Sequence, residues 1–360
     1  MATRSRRVGV IGLGFGAQVY IPAFRAEGWD VAAVCGRNRA NAEQVATKAK
    51  VRDVHTDALE LIARTDIEAI AIATPPRGHH PLAIAALRSG KHVLCEKPFA
   101  LDAAQALEMR DAANAAQRTA MVGHEFRHAP QRRFIRQLVA EGYVGRFQLC
   151  TMELFLDRYV TTQPRERTWL ASEAEGGGIL GALGSHYIDG LRDWFGEIVS
   201  VTGSLAQLRP DVKDRDSGRI LRSQTDDTYQ FTVGFANGGA ATMVASFAAT
   251  PARGARIAVM GDRGTLLAEQ PGPNPVDDGI VLGSRDGGKF ATLPMPDGYM
   301  PFTDDRDPRL ACFRLLVRDF TRGVDEGCSP APSFVDGWRC QQVLDAIRAS
   351  SREGRTITLT

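Results

Sequence analysis

The sequence predicts an α/β protein in two parts: an N-terminal doubly wound parallel sheet, then an α+β domain with a large open antiparallel sheet. Three observations predict it. Over the first third of the 360 residues, short apolar runs alternate with helix-compatible stretches, the pattern of repeated βαβ units. The first of these runs enters a glycine-rich turn. Beyond about Arg127 the strand-like runs succeed one another without helices between them, as in an antiparallel sheet. The length suits two domains, and the change of pattern places them at 1–124 and 125–360.

In the first part, apolar runs predict strands at 7–12, 30–35, 68–73, 92–95 and 119–123. Helices fit between them at 16–27, 39–49, 56–63, 79–89 and 102–117. In the second part a helix at 130–141 ends near Gly142 and Gly145, and Phe147 to Leu156 alternates as a strand. Further strands are expected at 198–207, 227–235, 239–248 and 255–260, then at 264–268 and 279–283. Helices at 308–322 and 336–351 close the chain. Segments 209–224 and 270–300 are rich in Gly, Pro, Asp and Arg and read as surface loops.

Composition narrows the class. Hydrophobic content of 44% and charged content of 24% fit a globular protein, and a net charge of +2 without a basic block argues against a nucleic-acid partner. No apolar run is long enough to span a membrane, so no membrane partner is expected. The six cysteines are scattered without a CxxC pair, which predicts reduced thiols and no metal site. Ser5-Arg6-Arg7 precedes an apolar run, as in an export signal. The residues after Arg7 are the first strand and its turn, which cleavage would remove, so a cytoplasmic location is expected.

The turn reads Gly12-Leu13-Gly14-Phe15-Gly16-Ala17. In a strand–turn–helix context, such spacing lets backbone approach a pyrophosphate at a helix start. Gly12 permits the tight turn, Gly14 carries no Cβ to block the phosphates, and Ala17 is small enough for the helix to pack on the strand. A dinucleotide cofactor is therefore expected. After the second strand, where an acid usually holds the ribose hydroxyls, the chain reads Gly36-Arg37-Asn38-Arg39. Guanidinium groups there suit a 2′-phosphate, which a carboxylate would repel. NADP(H) is the expected cofactor, with NAD(H) as the alternative.

Two further strand ends carry chemistry. Thr74-Pro75-Pro76 forms a turn ahead of the helix that begins at His79, and Glu96-Lys97-Pro98 comes after the strand at 92–95. Lys97 thus lies past the carboxyl end of a parallel strand. Its ammonium there suits stabilising a substrate oxygen. A cis Lys97–Pro98 bond is expected.

With these residues in view, the sequence resembles the Gfo/Idh/MocA oxidoreductases over nearly its whole length. The likeness rests on the Gly12–Ala17 turn, Thr74 to His79, Gly90-Lys91-His92-Val93 and above all Glu96-Lys97-Pro98. Arg127-x-x-Pro130, the segment Gly176 to Asp189 and the stretch Pro332 to Gly337 extend it. The resemblance implies a Rossmann domain, a substrate domain, and hydride transfer between a nicotinamide and a sugar, polyol or related hydroxy or carbonyl compound. With the resemblance added, cofactor contacts are expected from Gly12, Gly14, Phe15, Gly16, Ala17, Arg37, Asn38, Arg39, Thr74, Pro75, His79, Glu96 and Lys97. Lys97 and His186 become the catalytic pair, and a homodimer or homotetramer through the C-terminal sheet is implied.

The family pattern carries an aspartate four residues before its histidine, where this chain has Ala182. Asp189 could orient His186 from the same helix or make a contact elsewhere. Arg127, Asp157, Tyr159 and Trp169 are further candidates for the substrate pocket, as are Glu125, Glu153 and Arg158. Two other functions stay open at this point: glycosidic cleavage through transient oxidation, and cofactor sensing without catalysis.

Overall fold

The computed structural model describes residues 6–161, 163–270 and 279–359. The loop expected at 270–300 lies partly outside them. Two compact units emerge: Met1–Glu125 with Phe302–Gln341, and Phe126–Pro301 with Gln342–Thr360. Residues 302–341, which the sequence pattern grouped with the second domain, thus belong to the first unit.

The first unit is built on six parallel strands: β1 (Arg7–Ile11), β2 (Asp30–Cys35), β3 (Asp53–His55), β4 (Ala69–Ile72), β5 (His92–Cys95) and β6 (Ala120–Val122). Their order is β3-β2-β1-β4-β5-β6. Strand order reverses between β1 and β4, so a crevice for ligands is expected beyond their carboxyl ends. Of the two central strands, β4 is apolar throughout and β1 has no polar side chain after Arg7, because both faces are covered. In β4, Ala69 and Ala71 enter one core while Ile70 and Ile72 enter the other. On the first face lie α1 (Ile21–Ala26) and α2 (Arg39–Ala49). On the second lie α3 (Ala58–Ile62), α4 (His79–Arg88) and α5 (Ala103–Ala116).

The late segment joins this unit through an apolar stripe. Helix α8 (Leu310–Glu326) places Leu310, Phe313, Leu316, Val317 and Phe320 along one side, all fully buried. Phe313 meets Tyr20 with ring centroids 4.5 Å apart, and Phe320 meets Phe24 at 6.1 Å. Phe334, at the start of α9 (Phe334–Glu353), packs on Phe99 across the other face.

The second unit holds a nine-stranded sheet. Its members are β7 (Phe147–Phe155), β9 (Ile198–Ala206), β12 (Thr228–Phe235), β13 (Ala240–Ser246), β14 (Gly254–Gly261), β15 (Gly264–Gln270), β16 (Ile280–Arg285), β17 (Ala291–Thr292) and β18 (Ile357–Thr358). The order is β17-β16-β15-β14-β7-β13-β12-β9-β18. The sheet is mixed, not wholly antiparallel: β7 runs parallel to β13 and antiparallel to β14. The cause is geometric. Residues 247–253 turn β14 back against the direction of β13, and β7 lies between the two. It must therefore parallel one of them.

One sheet face is buried, with Phe147 stacked on Phe195 of α7 (Ser185–Phe195) at 3.8 Å. Helix α6 (Pro130–Ala140) also belongs to this unit. On the other face Thr202, Thr232, Thr242 and Thr151 stand in register across four strands. Segment 209–224, expected as loop, contains β10 (Asp211–Lys213) and β11 (Ile220–Arg222). These join β8 (Arg165–Glu166) in a small separate sheet. Among the described residues no helix is long and apolar enough to cross a membrane.

Candidate functional site

The glycine turn comes directly after β1, as expected. Gly12 has φ +97°, and a Cβ there would lie 2.4 Å from the Ala73 carbonyl oxygen. Gly14 faces open space, with nothing within 4 Å of where a Cβ would stand. These are the two properties a phosphate-cradling turn needs. The close approach of helix to strand is made by Gly16, not by Ala17: a Cβ on Gly16 would touch Val10 at 3.1 Å, whereas Ala17 is half-buried.

At the end of β2, a Cβ on Gly36 would press on Leu13 at 2.8 Å. Asn38 caps α2, its side-chain oxygen accepting the Asn41 N–H at 2.9 Å. Arg39 pairs with Glu43 one turn on, at 2.9 Å, and Arg37 is exposed.

Thr74 and Lys97 lie on neighbouring strand ends, and His79 ties the two loops together. Its ring is fully buried, with Nε2 2.8 Å from the Thr74 carbonyl oxygen and Nδ1 3.0 Å from that of Pro98. Burial holds its pKa down to about 4 against the pull of those carbonyls. His79 therefore shapes the loops from behind. Thr74 Oγ1 is buried without a hydrogen-bond partner among the described residues. The Lys97–Pro98 bond is cis, as expected.

Around Lys97 the first unit gathers a charged cluster. Glu96 is 5% exposed; its Oε1 accepts from the Tyr20 hydroxyl at 3.1 Å and its Oε2 from the Lys97 backbone N–H at 3.1 Å. The Lys97 ammonium is 3.8 Å from Glu96 Oε2 and 6.0 Å from the Phe15 ring centre. Arg309, just ahead of α8, stacks on Phe15 at 4.8 Å and reaches Gln18 at 3.4 Å. Glu125 lies past the end of β6 and is 1% exposed. Burial raises the pKa of both carboxyls, Glu125 to about 8, while Lys97 and Arg309 draw them down. Glu96 is thus engaged by Tyr20 and the Lys97 backbone.

In the second unit the turn at Gly176–Gly178 opens the helical stretch that carries His186. Gly178 has φ +100°, and a Cβ there would meet the Asp226 carboxylate at 2.2 Å. That carboxylate accepts the Leu180 N–H at 2.8 Å and so caps the helical stretch. His186 is 2% exposed, its ring stacked on Phe126 at 3.7 Å and 10°. Arg132 lies over the Phe126 and Tyr187 rings at 4.5 and 4.4 Å.

Asp189 is turned to Arg127, which donates to both its oxygens at 2.7 Å and to Asp193 at 3.2 Å. The contact made by Asp189 is thus a buried ion pair between Arg127 and α7. Tyr159 packs on Phe247 at 5.2 Å beneath Arg165, and Trp169 is half-buried. Asp157 is exposed and Ala182 half-buried. Tyr20, Arg309 and Asp226 were not foreseen; each reaches its place through packing, without a motif.

Comparison with known proteins agrees with this architecture. Residues 6–124 match the Gfo/Idh/MocA family model described as an oxidoreductase family with an NAD-binding Rossmann fold. Residues 136–359 match the corresponding C-terminal alpha/beta domain. The uncharacterized oxidoreductase YdgJ of Escherichia coli is 31% identical, over 95% of this chain and 94% of its own length. Levoglucosan dehydrogenase of Pseudarthrobacter phenanthrenivorans is 26% identical, over 96% and 95%. Among solved structures, an NAD binding oxidoreductase from Klebsiella pneumoniae superposes with a TM-score of 0.87 at 26% identity, covering 99% of each chain.

Proposed function

The chain belongs to the Gfo/Idh/MocA oxidoreductases, with their NAD-binding Rossmann fold, and from that premise we propose that it is an NADP(H)-preferring dehydrogenase or reductase of a sugar, polyol or related compound. The observation that carries this is the Lys97 cluster. A lysine past the carboxyl end of β5 stands 6.0 Å over Phe15 of the glycine turn, flanked by buried carboxyls. Likeness to a levoglucosan dehydrogenase along nearly the whole chain supports a carbohydrate substrate.

The cradle fits the cofactor: open space at Gly14, the positive-φ turn at Gly12 and the orphaned Thr74 hydroxyl are what a pyrophosphate and a carboxamide would use. When bound, the nicotinamide supplies hydride exchange. Lys97 stabilises charge on the substrate oxygen and takes part in carrying its proton; the resemblance gives His186 as the residue that takes the hydroxyl proton in oxidation or returns it in reduction. Phe126 fixes the imidazole plane by stacking. An absorbance screen of sugars, inositols and sugar acids with both cofactors tests the reading. Turnover with such a substrate supports it. Released sugar without net absorbance change, or tight cofactor binding with no turnover, would replace it.

Cofactor choice rests on Gly36 and Arg37. With Asn38 engaged in capping and Arg39 paired to Glu43, Arg37 is the guanidinium left to meet a 2′-phosphate. Arg37→Ala is expected to raise KM for NADP(H) about tenfold and leave NAD(H) within about twofold, a loss of one charge-assisted contact. Equal effects on both cofactors would defeat the assignment.

The threonine face of the sheet is the surface we assign to self-association. Leu149 and Ile280 on it are 52% and 54% exposed. Sedimentation equilibrium is expected to give a dimer or tetramer, and Leu149→Arg to shift it toward monomer.

A further inference from the structure

Two buried carboxyls flank Lys97, and hydride transfer as derived above needs neither. Glu96 is held by Tyr20 and the Lys97 backbone. Glu125 is the second, its side chain withdrawn from water on a short turn (Glu125–His128) past β6. The backbone brings that turn to Lys97. Gly123 N–H donates to the Cys95 carbonyl at 2.8 Å, and a Cβ on Gly123 would touch Glu96 Oε1 at 2.7 Å. Residues 95–97 and 123–125 therefore leave adjacent strands side by side.

We propose that Glu125 is the proton-exchange partner of Lys97, acting on the substrate through the lysine. The proposal rests on the dehydrogenase function above. During oxidation, the Lys97 ammonium gives one proton to the Glu125 carboxylate, an N–H bond breaking as an O–H bond forms there, and the amine so exposed takes the substrate hydroxyl proton. Lysine is thereby returned to the ammonium, and Glu125 ends as the neutral acid. Reduction reverses the transfer, and no electrons move in it. Glu125 is a positioning residue in this scheme, since it does not touch the substrate.

The surroundings of Glu125 suit the task. Burial and the Glu96 carboxylate favour its neutral form, whereas Lys97 and Arg309 favour the charged one. Tyr20 is buried beside both glutamates, and His124 precedes Glu125 in the chain. The balance leaves Glu125 titrating near 8. A group held there both takes and gives a proton close to neutrality, where an ordinary glutamate is fully ionised and a poor donor.

The test joins two readouts. In the first, wild-type oxidation should rise with pH through about 8. Glu125→Gln should lose that inflection and on the order of tenfold in kcat, with KM little changed. Glu125→Asp, which keeps the acid, should retain the inflection.

In the second, Lys97 in the cofactor-free protein is acylated with an amine-selective reagent between pH 6 and 10 and monitored by mass spectrometry. The wild-type rate–pH curve should bend near 8, and that of Glu125→Gln should not. Turnover with identical inflections in wild type and Glu125→Gln overturns the proposal. So does a wild-type acylation curve without a bend, a measurement that does not depend on the variants folding. If no substrate turns over yet the bend depends on Glu125, the dehydrogenase function fails while the Glu125–Lys97 exchange stands.

Discussion

Lys97→Ala is expected to lower kcat by roughly 10²–10⁴-fold while leaving the cofactor dissociation constant within about threefold. The asymmetry arises from where the side chain stands. Its ammonium is 6.0 Å from the Phe15 ring centre, whereas the proposed phosphate cradle is backbone turn and open space at Gly12 and Gly14. The same substitution has a stability signature. Glu125 binds its proton up to about pH 8 in the folded protein. Unfolded, an ordinary glutamate releases it near 4.3. A carboxyl raised on folding contributes most stability at low pH and loses it as pH climbs toward the folded value. Removing Lys97 takes away an attraction that favours both carboxylates. Lys97→Ala should therefore lower Tm more at pH 8.5 than at pH 6. Full activity with equal Tm losses at both pH values would show that the cluster is not electrostatically joined.

Much of this site was legible because its residues sit at the ends of parallel strands, where a local pattern declares both strand and turn. Gly12, Gly14 and Lys97 are of this kind. The features that escaped share a physical cause. Arg309 reaches Phe15 because the apolar stripe of α8 carries the chain back to the first core, and an apolar stripe does not say which core it will cover. Asp226 caps the stretch at Leu180 from 46 positions away. β3 is three half-buried residues, Asp53-Val54-His55, too short and polar for an alternation to register. β10 and β11 lie in a segment whose charges and glycine spoke for loop, yet Val212 of β10 is fully buried. The parallel pairing of β7 with β13 is a property of topology, to which side-chain alternation is blind.

Arg127→Met is expected to destabilise the protein by about 3–5 kcal/mol, because it leaves a buried carboxylate without its principal counterion. Asp189 is 1% exposed, and both its oxygens accept from the Arg127 guanidinium at 2.7 Å in a bidentate pair. Asp193, with Arg136 at 3.0 Å as a second partner, is less dependent on Arg127. The loss should be pH-dependent, since a buried Asp189 deprived of its guanidinium gains by binding a proton. The variant should therefore recover part of its deficit on acidification from pH 7 to 5. Arg127→Met with Asp189→Leu should be more stable than Arg127→Met alone, because removing the second charge removes the desolvation penalty that the first substitution exposed. Urea unfolding of the wild type, both single variants and the double variant measures the coupling directly. Additive losses would mean that the pair is held in place by its neighbours and contributes nothing of its own. A strong coupling would make Arg127 the anchor of α7, on which His186 lies one turn before Asp189. Arg127→Met would then also lower kcat, although Arg127 itself takes no part in proton transfer.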